Sequence, residues 1–131
     1  MNSTLTLVIW MAGFTWLLWL LASLIRVKGW TVQGIILAMG NRDNLPEASP
    51  FAGRAERTAR NTADALILFT AISLVAHVSA VHHPLIEEGA RIFVVARLFY
   101  AAVYYAGIPY LRTLVWGVSM VGLGMMVSAL V

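Results

Sequence analysis

The sequence predicts an all-α fold, an integral membrane four-helix bundle protomer, on three observations. Of its 131 residues, 60% are hydrophobic and only 11% are charged, whereas a soluble domain is about 45–50% apolar and about 25% charged. The apolar residues fall into four runs, each near the roughly 20 residues that a bilayer crossing requires. The four prolines fall between the runs, and the basic residues cluster near their edges. Four crossings nearly use up the chain, so the residues 1–131 read as a single transmembrane domain. Any chemistry must then be built from the helices and their short connections.

The first helix is predicted from Leu5 to Ile25, a stretch with no ionisable residue, and Arg26 and Lys28 mark its end. Apolar character resumes from Trp30 to Met39, which leaves open an extension of this helix to residue 39. No basic segment precedes the run and its apolar part is longer than a signal h-region, so it reads as a retained helix. Gly40, Asn41, Asp43, Asn44, Pro46 and Pro50 then read as a loop. The second helix is predicted from Ala55 to Val81, ended by His82, His83 and Pro84, with Glu87, Glu88 and Gly89 forming an acidic turn. The third is predicted from Ala90 to Ala106 and the fourth from Tyr110 to Val131. The break at Gly107 and Pro109 is so short that the last two helices must be antiparallel neighbours.

The charges predict an orientation. Lys28, Arg42 and Arg54 sit in or beside the first loop, Arg57 and Arg60 follow, and Arg112 lies at the third. The second loop carries Glu87 and Glu88 against Arg91 alone. The positive-inside rule places the first and third loops in the cytoplasm and both termini outside. The net charge of +3 sits near membrane edges and forms no broad basic face, which argues against nucleic acid. There is no cysteine, so a thiol used here must arrive with a ligand. His77, His82 and His83 lack the spacing of a helical ligand pair, and no metal is expected. Ala102 with Ala106, and Gly124 with Ser128, are small-residue pairs that permit close helix packing.

The informative polar stretch is Arg54-Ala55-Glu56-Arg57-Thr58-Ala59-Arg60-Asn61-Thr62-Ala63-Asp64. Arg57, Arg60, Asn61 and Asp64 recur at i, i+3, i+4 and i+7, which places them on one helical face. A solvated helix start with snorkelling arginines accounts for Arg57 equally well. It does not account for Asp64, two turns further in, which is costly against lipid and must face other helices or a wet cavity. In the third helix Arg97, Tyr100 and Tyr104 share a face, with Arg97 about 15 Å from the helix end. Asp64 is the acid at comparable depth, so an Asp64–Arg97 pair is expected, with a structural role in fixing register. Arg112 and Thr113 open the fourth helix, where a lone arginine is ordinarily a topology signal.

These residues resemble the MAPEG superfamily, the membrane-associated proteins in eicosanoid and glutathione metabolism. The run 54–64 looks like the family's second-helix motif. Ala96-Arg97-Leu98-Phe99-Tyr100-Ala101-Ala102-Val103-Tyr104-Tyr105 with Ile108-Pro109-Tyr110-Leu111-Arg112-Thr113 looks like its third-helix and loop motif, and Asn41-Arg42-Asp43-Asn44 resembles bacterial members. The resemblance implies a homotrimer with glutathione as co-substrate, bound between protomers near the cytoplasmic face. Arg60, Asn61 and Asp64 would contact it, Tyr100 and Tyr104 would line the site, and Arg26 would match a first-helix basic contact. Arg57, Arg97 and Thr113 join the set as cofactor-binding residues. Arg112 would match the arginine that stabilises the thiolate, with Tyr104 the second catalytic candidate. The family acid is commonly Glu where this chain has the shorter Asp64. Position 100 is Tyr, as in leukotriene-forming and microsomal transferase members.

The expected function is therefore a glutathione-dependent membrane transferase or peroxidase acting on lipophilic electrophiles. The family also includes a non-enzymatic scaffold, so a membrane ligand-binding or scaffold protein of the same fold is the alternative. A small four-helix exporter would carry a carboxylate in its first helix, and this one has none.

Overall fold

The computed structural model describes residues 2–131. Five helices follow in order: α1 (Ser3–Val27), α2 (Val32–Met39), α3 (Pro50–Val78), α4 (Pro84–Ala106) and α5 (Pro109–Leu130). Four of them, all but α2, are long and apolar enough to cross a membrane. They alternate in direction, so the protein is an integral membrane helical bundle with two ends. The basic end gathers the C-termini of α1 and α4, the N-termini of α3 and α5, and the short α2. The opposite end holds the α3–α4 connection.

Proline decides three of the helix starts, and this is where the boundaries depart from expectation. α3 begins at Pro50, not near Ala55, because Ser49 accepts a hydrogen bond from the Ala52 amide and Pro50 takes the first helical position. A proline there loses no hydrogen bond, since that amide has no intrahelical acceptor. α4 likewise begins at Pro84, with His83 Nδ1 accepting from the Leu85 amide at 3.1 Å. Glu87, Glu88 and Gly89 therefore lie within the first turns of α4, not in a separate acidic turn. Glu87 suits a helix N-terminus and pairs with Arg91 at 2.6 Å. α1 does not extend to residue 39: Lys28 adopts φ 53° and caps α1, and α2 starts afresh from Thr31.

α4 packs most extensively on α5, and α1 on α3. The α4–α5 pair is antiparallel, joined through Gly107 at φ 76°. Its closest crossing lies between Gly89 and Gly122: a Cβ on Gly89 would stand 2.5 Å from the Gly122 carbonyl oxygen, and the reverse substitution 2.6 Å from that of Gly89. The small pairs singled out in the sequence do not make this crossing. Ala102, Ala106, Gly124 and Ser128 are all exposed on the protomer.

Towards the acidic end the core is built from Met11, Phe69, Phe93 and Met126, all fully buried. The Phe69 and Phe93 rings stack at 4.5 Å. Towards the basic end the core changes character. Leu18 and Ala22 of α1 meet Ala55 and Ala59 of α3 and Ala101 of α4. These short side chains bring the backbones together and leave the neighbouring positions for long polar residues.

Candidate functional site

The polar residues gather at the basic end in two clusters on either side of α3. The first lies between α3, α4 and α5. Arg57 donates from Nε to the Tyr104 hydroxyl at 3.1 Å. The Arg112 guanidinium sits over the face of the Tyr104 ring, 4.6 Å from its centroid. Tyr104 is thus held by a cation at its oxygen and another on its ring. Tyr100 meets Tyr104 edge to face at 5.5 Å, an arrangement that suits two aromatic quadrupoles. Tyr100 also carries the Arg97 guanidinium over its ring at 4.2 Å.

Arg97 is fully buried, and no carboxylate pairs with it. Its Nη2 donates to Asn61 Oδ1 at 2.7 Å and to Thr62 Oγ1 at 3.4 Å. The expected Asp64–Arg97 pair is therefore absent from the protomer, and Asp64 is exposed. Helical geometry gives the reason. At about 100° per residue, Asn61 lies next to the buried Thr62, while Asp64, three residues further on, turns about 60° more in the opposite sense. Arg97 approaches from the Thr62 side. A neutral amide, a hydroxyl and an aromatic face replace the expected carboxylate, and Arg97 Nε and Nη1 have no partner among the described residues.

The second cluster lies between α1 and α3. Arg26 Nε approaches Glu56 Oε1 at 3.2 Å. Arg26, Arg42, Glu56 and Arg60 line one cavity of about 350 Å³ with Trp19 and Ser23. Arg42 reaches into it from the loop after α2, donating from Nη1 to Ser23 Oγ and from Nε to the Ala38 carbonyl, each at 3.2 Å.

The structure thus brings Arg57, Asn61, Arg97, Tyr100, Tyr104 and Arg112 together, and Arg26 and Arg60 line the separate cavity between α1 and α3. Arg57, Arg60 and Asp64 all have exposed side chains on the outer face of α3. Thr113 stays apart: its hydroxyl donates to the Pro109 carbonyl of its own helix at 3.3 Å. Three residues outside the expected set take part. Thr62 completes the Arg97 contacts, Glu56 pairs with Arg26, and Arg54 donates from Nε to the Tyr105 carbonyl at 3.2 Å, tying α3 to the C-terminus of α4. Thr62 and Glu56 stand inside the motif already picked out, but only the helix phase shows that they point to different neighbours.

Chemically, the first cluster is rich in donors and poor in anions. Among the described residues the ion pairs are Arg26–Glu56 and Arg91–Glu87, so Arg57, Arg60, Arg97 and Arg112 carry charge that no carboxylate offsets. Such a surface near a membrane edge suits an anionic ligand. No curated protein and no solved structure matches the chain. The model of the MAPEG family matches residues 3–131. With that match running over nearly its whole length, the chain belongs to the MAPEG family.

Proposed function

We propose that the protein is a glutathione-dependent membrane transferase or peroxidase acting on lipophilic electrophiles. Glutathione would bind between protomers of a homotrimer, at the basic end and from the cytoplasm. The observation that carries this reading is the Arg57–Tyr104–Arg112 contact set. Tyr104 accepts a hydrogen bond from Arg57, so its own O–H is left to donate outward. Arg112, half-buried beside it, supplies a positive charge. Together they offer a thiolate a hydrogen bond and an ion-pair partner. A thiol near pKa 8.5 is only a few per cent ionised at neutral pH, and a nearby arginine favours the charged form.

The placement of the remaining residues supports a site shared between copies. Arg57, Arg60 and Asp64 lie exposed on one face of a membrane-spanning helix, where lipid contact would be costly. A second copy packed against this face would cover them. It would also bring an Arg26–Arg60 groove from one protomer towards the Arg57–Tyr104–Arg112 cluster of the next. In this reading Arg60 and Asn61 hold the peptide's carboxylate and amide groups, Asp64 takes its ammonium group, and Tyr100 lines the pocket. Arg97 acts from behind, through Asn61 and Tyr100. The apolar groove between α1 and α4, about 720 Å³ and lined by Trp10, Phe14 and Leu98 among others, opens on the lipid side, the route by which a membrane-dissolved electrophile would approach.

The test is turnover by the purified protein in detergent or lipid. Conjugation of glutathione to a dinitrohalobenzene, or glutathione-dependent reduction of a lipid hydroperoxide, is expected above the uncatalysed rate. Neither activity, with glutathione nevertheless bound, would favour the ligand-binding alternative.

A further inference from the structure

α2 is the one helix too short to cross a membrane, and it has an unusual surface. Its residues Val32, Ile35, Ile36 and Met39 recur at i, i+3, i+4 and i+7, so they form one stripe. All four point away from the protomer, with exposures of 76%, 49%, 65% and 83%, and Trp30 just before the helix is 69% exposed. In water such a stripe would be an aggregation liability. The opposite side of α2 is pressed onto the end of α1. Gly34 is buried there so closely that a Cβ would stand 2.0 Å from the Lys28 carbonyl oxygen and 2.4 Å from that of Val27. The helix is therefore held with a fixed face inward and a fixed face outward.

Its height is fixed as well. α1 is a membrane span that ends at Val27, and α2 begins five residues later. Arg42 then ties the end of α2 back to Ser23, one turn inside the end of α1, through the Ala38 carbonyl and the Ser23 hydroxyl. α2 thus follows directly on the end of a span whose last two turns also expose Leu20, Leu21 and Leu24. Lys28, exposed, flanks the stripe at its N-terminal end.

We infer that α2 is an interfacial helix, its Val32–Ile35–Ile36–Met39 stripe immersed in the lipid leaflet at the basic end and Lys28 against anionic headgroups. An amphipathic helix with a basic margin and a tryptophan at its edge binds a membrane surface through buried apolar area together with attraction to anionic lipid. The occupant of the stripe is lipid, because the stripe follows on the exposed leucines at the end of a membrane-spanning helix and is bordered by Lys28. One consequence concerns Arg42: membrane immersion of α2 fixes the loop that places this arginine in the Arg26–Glu56–Arg60 groove.

The chain has no cysteine, so single cysteines can carry a nitroxide label without background. The protein is reconstituted in vesicles of phosphatidylcholine with phosphatidylglycerol, labelled in turn at Ile35, Ile36, the loop residue Asn44 and the exposed span residue Val121. Collision with oxygen and with a water-soluble nickel chelate is then read by electron paramagnetic resonance. Ile35 and Ile36 are expected to resemble Val121, with oxygen accessibility high and a several-fold lower nickel accessibility than at Asn44. Nickel access equal to that at Asn44 would place the stripe in water and overturn the inference. Exclusion of both reagents at Ile35 and Ile36 would place the stripe against another protein surface and overturn it as well. Labels at these exposed positions leave the packed side at Gly34 untouched. Equal immersion depth in vesicles of phosphatidylcholine alone would overturn the part given to Lys28.

Discussion

Tyr104 is held from two sides: Arg57 donates to its hydroxyl at 3.1 Å, and the Arg112 guanidinium lies on its ring at 4.6 Å. The first contact links α3 to α4, and the second links α4 to α5. A single phenol therefore joins three helices at the basic end. Removing its hydroxyl should uncouple Arg57 without opening a large gap. Tyr104→Phe and Arg57→Met, combined in a double-mutant cycle, should show a coupling of about 0.5–1.5 kcal/mol in unfolding stability. Chemical unfolding in detergent checks this, and strictly additive losses would mean that the contact carries no energy.

Arg97 should depend on Asn61 rather than on Asp64. Asn61→Ala removes the shorter of its two hydrogen bonds and leaves a buried cation short of acceptors, at a cost of about 1–3 kcal/mol. Asp64→Ala, at an exposed position without a partner in the protomer, should change protomer stability by less than about 0.5 kcal/mol while weakening glutathione binding. Thermal unfolding and a glutathione titration of both variants separate the two roles. A larger stability loss in Asp64→Ala than in Asn61→Ala would restore the carboxylate pair.

The α4–α5 crossing should tolerate no side chain at Gly89 or Gly122. Alanine at either position pushes a methyl group against a backbone carbonyl, and the helices must separate. Overpacking of this kind costs about 1–3 kcal/mol. Gly117→Ala, where a Cβ would have nothing within 4 Å, is the control and should melt at or near the unmutated temperature. Equal melting of all three variants would argue against the close crossing.

Orientation is open to the same single-cysteine strategy. A cysteine at Arg42 should resist a membrane-impermeant thiol reagent added from outside the cytoplasm, and one at Glu88 should react. The reverse pattern would place the basic end, and with it the Arg57–Tyr104–Arg112 cluster, in the compartment opposite to the proposed supply of glutathione.

Much of this arrangement was legible in the sequence. Four apolar runs gave the four spans, and the short break at Gly107 gave the antiparallel α4–α5 pair. Periodicity placed Arg57, Asn61 and Asp64 on one stripe, and Arg97, Tyr100 and Tyr104 on another. It did not say which edge of each stripe meets which neighbour. A rotation of about 60° is enough to turn Asp64 outward while Asn61 reaches Arg97, and a difference of that size is set by packing of the Ala55, Ala59 and Ala101 backbones. The Gly89–Gly122 crossing was hidden for a similar reason, since neither glycine has a small partner at four-residue spacing on the same packed face. Pro50 reads as part of the loop and His83-Pro84 as the end of the second helix because proline stops a helix from within, although it serves equally as a first residue.

Glutathione is expected to bind at the basic end and to give up its thiol proton beside Arg112. Calorimetric titration of the purified protein with glutathione, repeated in buffers of different ionisation enthalpy, tests binding and proton release together. Saturable binding with proton release near neutral pH is the expected result. In Arg112→Ala the release should fall sharply with a smaller change in affinity, because the thiol's pKa then returns towards its free value near 8.5. The sign follows from charge: loss of the cation raises the thiol pKa, so the thiolate forms only at higher pH. An absence of saturable heat in the unmutated protein, or binding whose proton release is unchanged by Arg112→Ala, would contradict it.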